Sequence, residues 1–176
     1  NPADDMQGSY LGPQFNNNEI EITLNKIGAK YKKYSDEEMI SITAQSLANG
    51  KTVGWFQGRM EFGPRALGNR SILADPRSKE MQKNLNLKIK FRESFRPFAP
   101  SILREKVNEW FDYDKHSPYM LMVANVKKEK QINISKDEED LFGIDKLNIV
   151  KSKIPAVTHV DYSARVQTVE KSQNKL

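Results

Sequence analysis

The sequence predicts an α/β (α+β) chain on three observations. Helix-start signals precede apolar residues at helical spacing. Short apolar runs carry β-branched and aromatic side chains. The two kinds of segment intermix along the chain. A length of 176 residues, 38% of them apolar, suits one domain with a packed core, since domains commonly run ~100–200 residues.

Residues 1–17 read as a linker, because Pro2, Gly8, Gly12, Pro13 and the Asn16-Asn17-Asn18 run supply turn formers and no period. A chain that opens on Asn1-Pro2 rather than Met also reads as cut from something longer. From Glu19 to Ile27, the residues Ile20, Leu24 and Ile27 fall at helical spacing, and Gly28 marks a stop. Ser35 and Glu38 fit a capping box, each reaching the other's backbone N–H. Met39, Ile42 and Leu47 then mark one side of the ensuing helix, which Gly50 ends. Thr52 to Phe56 predicts a buried strand, and a glycine-rich loop follows from Gly58 to Gly68.

Ser78 to Ile89 predicts a helix that packs Met81, Leu85 and the stem of Lys88. Two prolines make Phe95 to Leu103 extended, and Glu105 to Phe111 suits a short helix. Tyr119 to Ala124 reads as a second buried strand. The stretch 127–148 alternates in charge sign and predicts a solvated insertion. Thr158 to Val160 and Ala164 to Val169 alternate as strands do.

Composition excludes several functions. Without cysteine there is no disulfide, no thiolate nucleophile and no Cys-type zinc site. His116 and His159 lack an i, i+4 partner, so no self-contained metal site is expected. No apolar run approaches the ~18 residues of a membrane span, and no signal pattern opens the chain. These absences suit a reducing cytoplasm. The charge is regional: from Lys51 to Arg104 twelve basic residues face four acidic ones, a net +8, while the rest sums to −3. Such a window points to an anionic ligand or partner.

Within it, Gly58-Arg-Met-Glu-Phe-Gly-Pro-Arg-Ala-Leu-Gly-Asn-Arg-Ser71 interleaves glycines with Arg59, Arg65 and Arg70. Glycine lets backbone approach a ligand or adopt positive φ, and guanidinium offers forked donors to phosphate. The plainer alternative is a surface turn whose arginines pair with Glu61 and Asp75. A second cluster, Lys90-Phe-Arg-Glu-Ser-Phe-Arg96, tips the reading toward a site. In an extended chain residues i and i+2 point the same way, so Lys90 and Arg92 would converge on one anion, with Ser94 and Arg96 beyond. Two such loops flanking a strand–helix unit suit a polyphosphate site that works by neutralising charge and aligning groups. A third element, Thr158-His-Val-Asp-Tyr-Ser-Ala-Arg165, gathers His159, Asp161, Ser163 and Arg165 in a short turn.

These three motifs, with Tyr10-Leu-Gly-Pro13 ahead of them, resemble the carbamoyltransferase family of the nodulation protein NodU and the cephalosporin and tobramycin carbamoyltransferases, over about residues 8–170. The resemblance implies a C-terminal domain of YrdC/Sua5-like fold, a twisted open sheet with flanking helices, over 18–176. That domain would make carbamoyl adenylate from carbamoyl phosphate and ATP with Mg2+. A Kae1-like N-terminal domain, absent here, would carry its own metal and transfer the carbamoyl group to a hydroxyl. It also implies that Lys90 and Arg92, matching the fold's Lys-x-Arg pair, bind anionic groups, with Arg65 acting beside them. Arg96, His159 and Arg165 would join them around phosphate or adenylate. No secure role attaches to Arg59, Glu61 or Asp161. The family's Asn-Thr-Ser-Phe-Asn stretch, counterpart of a Ser-x-Asn element, is missing before Leu176. An incomplete nucleotide site is therefore expected, weak for ATP and inactive in overall transfer. Two other readings stand behind this one. A basic nucleic-acid module would show steeply salt-dependent RNA binding. An interdomain scaffold would use its arginines only for salt bridges.

Overall fold

A computed structural model describes residues 4–147 and 149–171, and the chain divides after Leu73 into two compact units. Helices and small sheets intermix, in agreement with the α/β class.

The first unit holds two helices, α1 (Asn17–Lys26) and α2 (Asp36–Ala48), and the antiparallel pair β1 (Val53–Phe56) and β2 (Arg70–Leu73). Both helices start on capping boxes. Ser35 does so as its sequence predicts, with the Glu38 carboxylate accepting from the Ser35 N–H at 2.9 Å. Asn16 does the same with Glu19, so one asparagine of the supposed linker is a helix cap. Both helices end on a left-handed glycine, Gly28 at φ 65° and Gly50 at φ 75°. In each, the next N–H reaches back five residues, as Ala29 does to the Leu24 carbonyl.

The expected burial is only partly met. Neither helix buries a residue fully, and Ile42 is exposed while Met39 and Leu47 are half-buried. The shielded stripe of α2 runs through Met39, Thr43, Ser46 and Leu47, at i, i+4, i+7 and i+8. A two-stranded sheet has little width to cover more. For the same reason β1 alternates half-buried with exposed residues rather than reading as a buried strand. Residues 9–14 are held against the following loop: Gly12 and Met60 exchange backbone hydrogen bonds through Met60 and Pro13 carbonyls, and the Phe62 N–H donates to Ser9.

The second unit centres on a three-stranded sheet. The middle strand is β5 (Ser163–Val169), parallel to β3 (Ser101–Leu103) and antiparallel to β4 (Met122–Asn125). Around it lie α3 (Met81–Leu85), a π-helical turn at Asn86–Lys90, α4 (Val107–Trp110), α5 (Lys136–Glu139) and α6 (Ile144–Leu147). The core packs Val107, Phe111, Val126 and Ile154 with Ala164 and Val166 of β5, and Met81, Leu85 and Ala156 form a smaller cluster. Met81 and Leu85 thus pack as their spacing predicts, whereas Lys88 is exposed because the helix widens and turns before it.

Two strand expectations change. β4 is an edge strand in which only Ala124 is buried, and Thr158–Val160 forms a turn rather than a strand. The charged stretch 127–148 is tied down at its flanks, where Ile132 donates to the Lys151 carbonyl and Lys153 to that of Lys130. Among the described residues no helix is long and apolar enough to cross a membrane.

Candidate functional site

The glycine-arginine loop between β1 and β2 is built around one buried carboxylate. Glu61 is fully buried, and its Oε1 accepts from the N–H groups of Leu67 at 2.8 Å and Asn69 at 2.7 Å. Its other oxygen lies 3.6 Å from Arg70 Nε. Asn69 passes the support on, donating to the Arg59 carbonyl at 2.8 Å. Arg70 donates to the carbonyls of Gly63 and Arg65, and Arg59 to that of Gly12 at 3.1 Å. Gly58, Gly63 and Gly68 all have positive φ (53°, 144° and 120°), a conformation that excludes most side chains. Burial, with the Glu61 charge adding to it, pushes the Tyr10 phenol up.

The three arginines of this loop therefore divide. Arg59 and Arg70 are committed to holding the loop together, which gives Arg59 and Glu61 a structural role. Arg65 is half-buried, and its guanidinium forms no hydrogen bond or ion pair with a described residue. Further along, Arg77 is occupied by Asp75, at 2.5 Å.

The second cluster corrects the extended geometry expected for it. Lys90 closes the π-helical turn, and Phe91 is left-handed at φ 49°. The i, i+2 argument does not apply there. What organises the loop instead is Asn86, fully buried at the end of α3. Its Nδ2 donates to the carbonyls of Ser94 at 2.9 Å and Arg96 at 2.8 Å, and its Oδ1 accepts from Arg92 Nε at 2.6 Å. Arg92 also lies 4.9 Å over the Phe98 ring. Both contacts fix the guanidinium and leave its two terminal amino groups without a partner among the described residues.

Burial pushes the Arg92 guanidinium down from its ordinary value, and the like charge of Arg96 adds to this. Arg96 itself is exposed, with only a 3.7 Å approach to Glu93, and Lys90 is exposed without a recorded partner among the described residues. Three cations thus crowd one loop against a single exposed carboxylate. Such an arrangement suits an anionic ligand.

The third motif forms a closed hydrogen-bonded turn. The His159 N–H donates to the Ser163 carbonyl at 2.7 Å and the Tyr162 N–H returns to His159. Ser163 Oγ donates to Asp161 at 2.7 Å, and His159 Nδ1 lies 3.1 Å from the same Oγ. Because the hydroxyl proton is given to Asp161, Nδ1 is the donor to Oγ, and Nε2 of the neutral ring carries the lone pair. Burial pushes the His159 imidazole down, Asp161 opposes this, and Arg165 reinforces it. Arg165 sits half-buried in mid-β5, opposite Val123.

This turn has a consequence for acid stability. With its folded value below 6.5, His159 stays neutral where the unfolded chain takes up a proton. Stability is fully present above that pH and declines as pH falls through it. Melting curves from roughly pH 7.5 to roughly pH 5 should fall for the wild type and flatten for His159→Gln.

His159 and Thr158 face a cavity of about 220 Å³, whose apolar walls include Phe95, Leu147 and Pro155. A neighbouring cavity of about 320 Å³ shares those three walls and adds Lys79 and Lys83. Loop 90–97 and turn 158–160 therefore border one cleft, and α6 of the charged stretch forms part of its wall. Lys90, Arg92, Arg96, His159 and Arg165 all belong to the second unit; Arg65 belongs to the first. Among the described residues no three His, Asp or Glu side chains converge as a metal seat.

Two residues of the site were not singled out by sequence. Asn86 reads as an ordinary polar helix position, although a buried polar side chain just before an Arg-rich loop is a usable signal. Lys151 lines the cleft and reads as one more charge beside a charged stretch.

A family model described as "Carbamoyltransferase C-terminus" matches residues 44–176. An uncharacterised protein of Synechocystis sp. is 58% identical over 97% of this chain and 28% of its own length. The nodulation protein NolO of Bradyrhizobium diazoefficiens is 38% identical over 98% of the chain and 29% of its own length. A protein of Amycolatopsis lactamdurans named 3'-hydroxymethylcephem-O-carbamoyltransferase is 42% identical over 73% of the chain and 20% of its own length. The chain thus spans less than a third of these curated relatives.

Proposed function

We propose, since this chain belongs to the carbamoyltransferase C-terminal family, that it is the phosphate-handling domain of an ATP-dependent O-carbamoyltransferase. Carbamoyl phosphate and ATP-Mg2+ are its ligands, and carbamoyl adenylate is the product passed to a Kae1-like domain for transfer to a hydroxyl. The name of the Amycolatopsis relative supports the O-carbamoyl part of this reading.

The observation that carries it is the state of Arg92. Asn86 and Phe98 hold the guanidinium by its Nε and its face, so the two amino groups at its end remain for a ligand. Arg96 and Lys90 supply further positive charge on the same loop. A pre-oriented guanidinium loses little freedom on binding a phosphate and gains two parallel charge-assisted hydrogen bonds.

Atom balance defines the chemistry such cations must serve. Carbamoyl phosphate and water give carbamate and phosphate. Carbamate then attacks the α-phosphorus of ATP and displaces pyrophosphate. Apart from water, every species on that route is anionic, so neutralising charge and aligning the reactants is the protein's main contribution. His159, neutral with Nε2 available, is the acceptor for an N–H or O–H of a ligand in the cleft. Arg165 is a further phosphate contact in this reading, and Arg65 is proposed as a phosphate contact of the first unit by itself.

Calorimetric titration of carbamoyl phosphate tests the proposal. Arg92→Lys keeps the charge but loses the fork, and a weakening of about tenfold, which is about 1.4 kcal/mol, is expected. Arg77→Ala, which disturbs only the Asp75 pair, should bind as the wild type does. Equal affinity in the wild type and Arg92→Lys would contradict the assignment.

A further inference from the structure

Lys151 is 4% exposed, although its side chain bears an ammonium group. Lysine is rarely so buried unless a carboxylate accompanies it. Here Nζ donates to the Lys146 carbonyl at 2.8 Å, and no ion pair joins it to a carboxylate among the described residues. Burial pushes this group down, the like charge of Lys146 acts in the same sense, and Glu138 opposes both.

The position of Lys151 is as unusual as its burial. It lines the cavity of about 220 Å³ that His159, Thr158 and Gln82 also line. Thr158 and Gln82 donate to the carbonyls of Ile154 and Phe95, and among the described residues neither they nor His159 accept a hydrogen bond from Lys151. The remaining walls are largely apolar and offer an ammonium nothing. An ammonium has three donors, and the Lys146 carbonyl takes one.

We infer that Lys151 is a ligand-binding residue of this cleft, whose remaining donors take an oxyanion of a phosphate-bearing ligand. This rests on the reading of the domain as a binder of carbamoyl phosphate and ATP. The cleft supports a ligand with two parts. Apolar walls suit its uncharged body, and Lys151, inside, meets the oxygen that would otherwise have to be left in water. Lys79 and Lys83, set against the single carboxylate of Glu80, leave the adjoining cavity net positive. Among the described cations of this unit, Lys151 is the one that a bound anion would stabilise most, because water screens it least.

The test is calorimetry with carbamoyl phosphate, inorganic phosphate, ATP-Mg2+ and adenosine on the wild type, Lys151→Met and Lys151→Arg. Methionine keeps the length and apolar stem of the side chain. At least tenfold weaker binding of the phosphate ligands to Lys151→Met is expected, with adenosine unaffected and partial recovery in Lys151→Arg. Whether carbamoyl phosphate or ATP loses more identifies the source of the oxyanion. Unchanged phosphate affinity in Lys151→Met overturns the inference and leaves the proposed function standing. A wild type that binds neither carbamoyl phosphate nor ATP overturns both. Should Lys151→Met fail to fold, the Lys151 ammonium resonance of the intact chain decides: a shift on adding carbamoyl phosphate or ATP supports the assignment, and none overturns it.

Discussion

Alanine at Asn86 is expected to cost roughly 3 kcal/mol of stability and to abolish measurable carbamoyl phosphate binding. Three groups lose a buried partner at once: the carbonyls of Ser94 and Arg96, and Arg92 Nε. Each buried polar group left unpaired costs ~1–3 kcal/mol, partly recovered where water can enter. The binding loss has a separate cause. Without Asn86 the Arg92 guanidinium is no longer aimed, and the backbone carrying Arg96 is released. Denaturant unfolding measures the first effect and titration the second. Asn86→Asp separates the two roles of the side chain. It keeps an acceptor for Arg92 but turns its other oxygen toward two carbonyl oxygens, so it should also destabilise. A stable Asn86→Ala chain that binds like the wild type would remove Asn86 from the site.

Glu61→Ala is the second large effect, in the first unit. The side chain is fully buried and supports the N–H groups of Leu67 and Asn69, with Arg70 beside it. Removing one partner of a buried charged pair commonly costs ~3–5 kcal/mol. Arg70 is partly exposed, so the expected loss is near the bottom of that range, about 3 kcal/mol. The loop between β1 and β2 should become accessible to protease, while Arg77→Ala leaves it intact. Proteolysis at the Gly63–Arg65 segment, followed by mass spectrometry, reads this directly. An unchanged cleavage rate would show that glycine geometry alone maintains the loop.

Much of the fold is legible in the sequence where a local rule decides. The Ser35 box, the glycine stops at Gly28 and Gly50, and the positive φ of Gly58, Gly63 and Gly68 all follow from the backbone chemistry of single residues. Strand β5 also reads correctly as a strand, because a central strand meets partners on both edges, although it is buried on both faces instead of alternating. Burial is less legible. β1 and β4 carry apolar residues like buried strands, yet one belongs to a two-stranded pair and the other to a sheet edge. Nothing local records how many neighbours a strand will have.

The site shows the same division. Sequence marks a density of arginines, but the cations it names are spread over loops, the start of β2 (Arg70), the π-helical turn (Lys90) and mid-β5 (Arg165). It cannot tell Arg59 and Arg70, spent on carbonyls, from Arg92, held with its donors outward. That distinction depends on Glu61 and Asn86, polar residues whose burial is decided by distant packing. Lys90 and Arg92 illustrate the limit further. Their spacing suggests a shared face only for an extended backbone, and the π-helical turn with left-handed Phe91 replaces that backbone.

The division of the arginines is the central claim, and side-chain NMR of the Nε–H groups tests it most directly. During titration with carbamoyl phosphate, the Arg92 and Arg96 signals should shift and saturate together, while those of Arg59, Arg70 and Arg77 stay in place. Saturating shifts at Arg59 or Arg70 with Arg92 unmoved would contradict it.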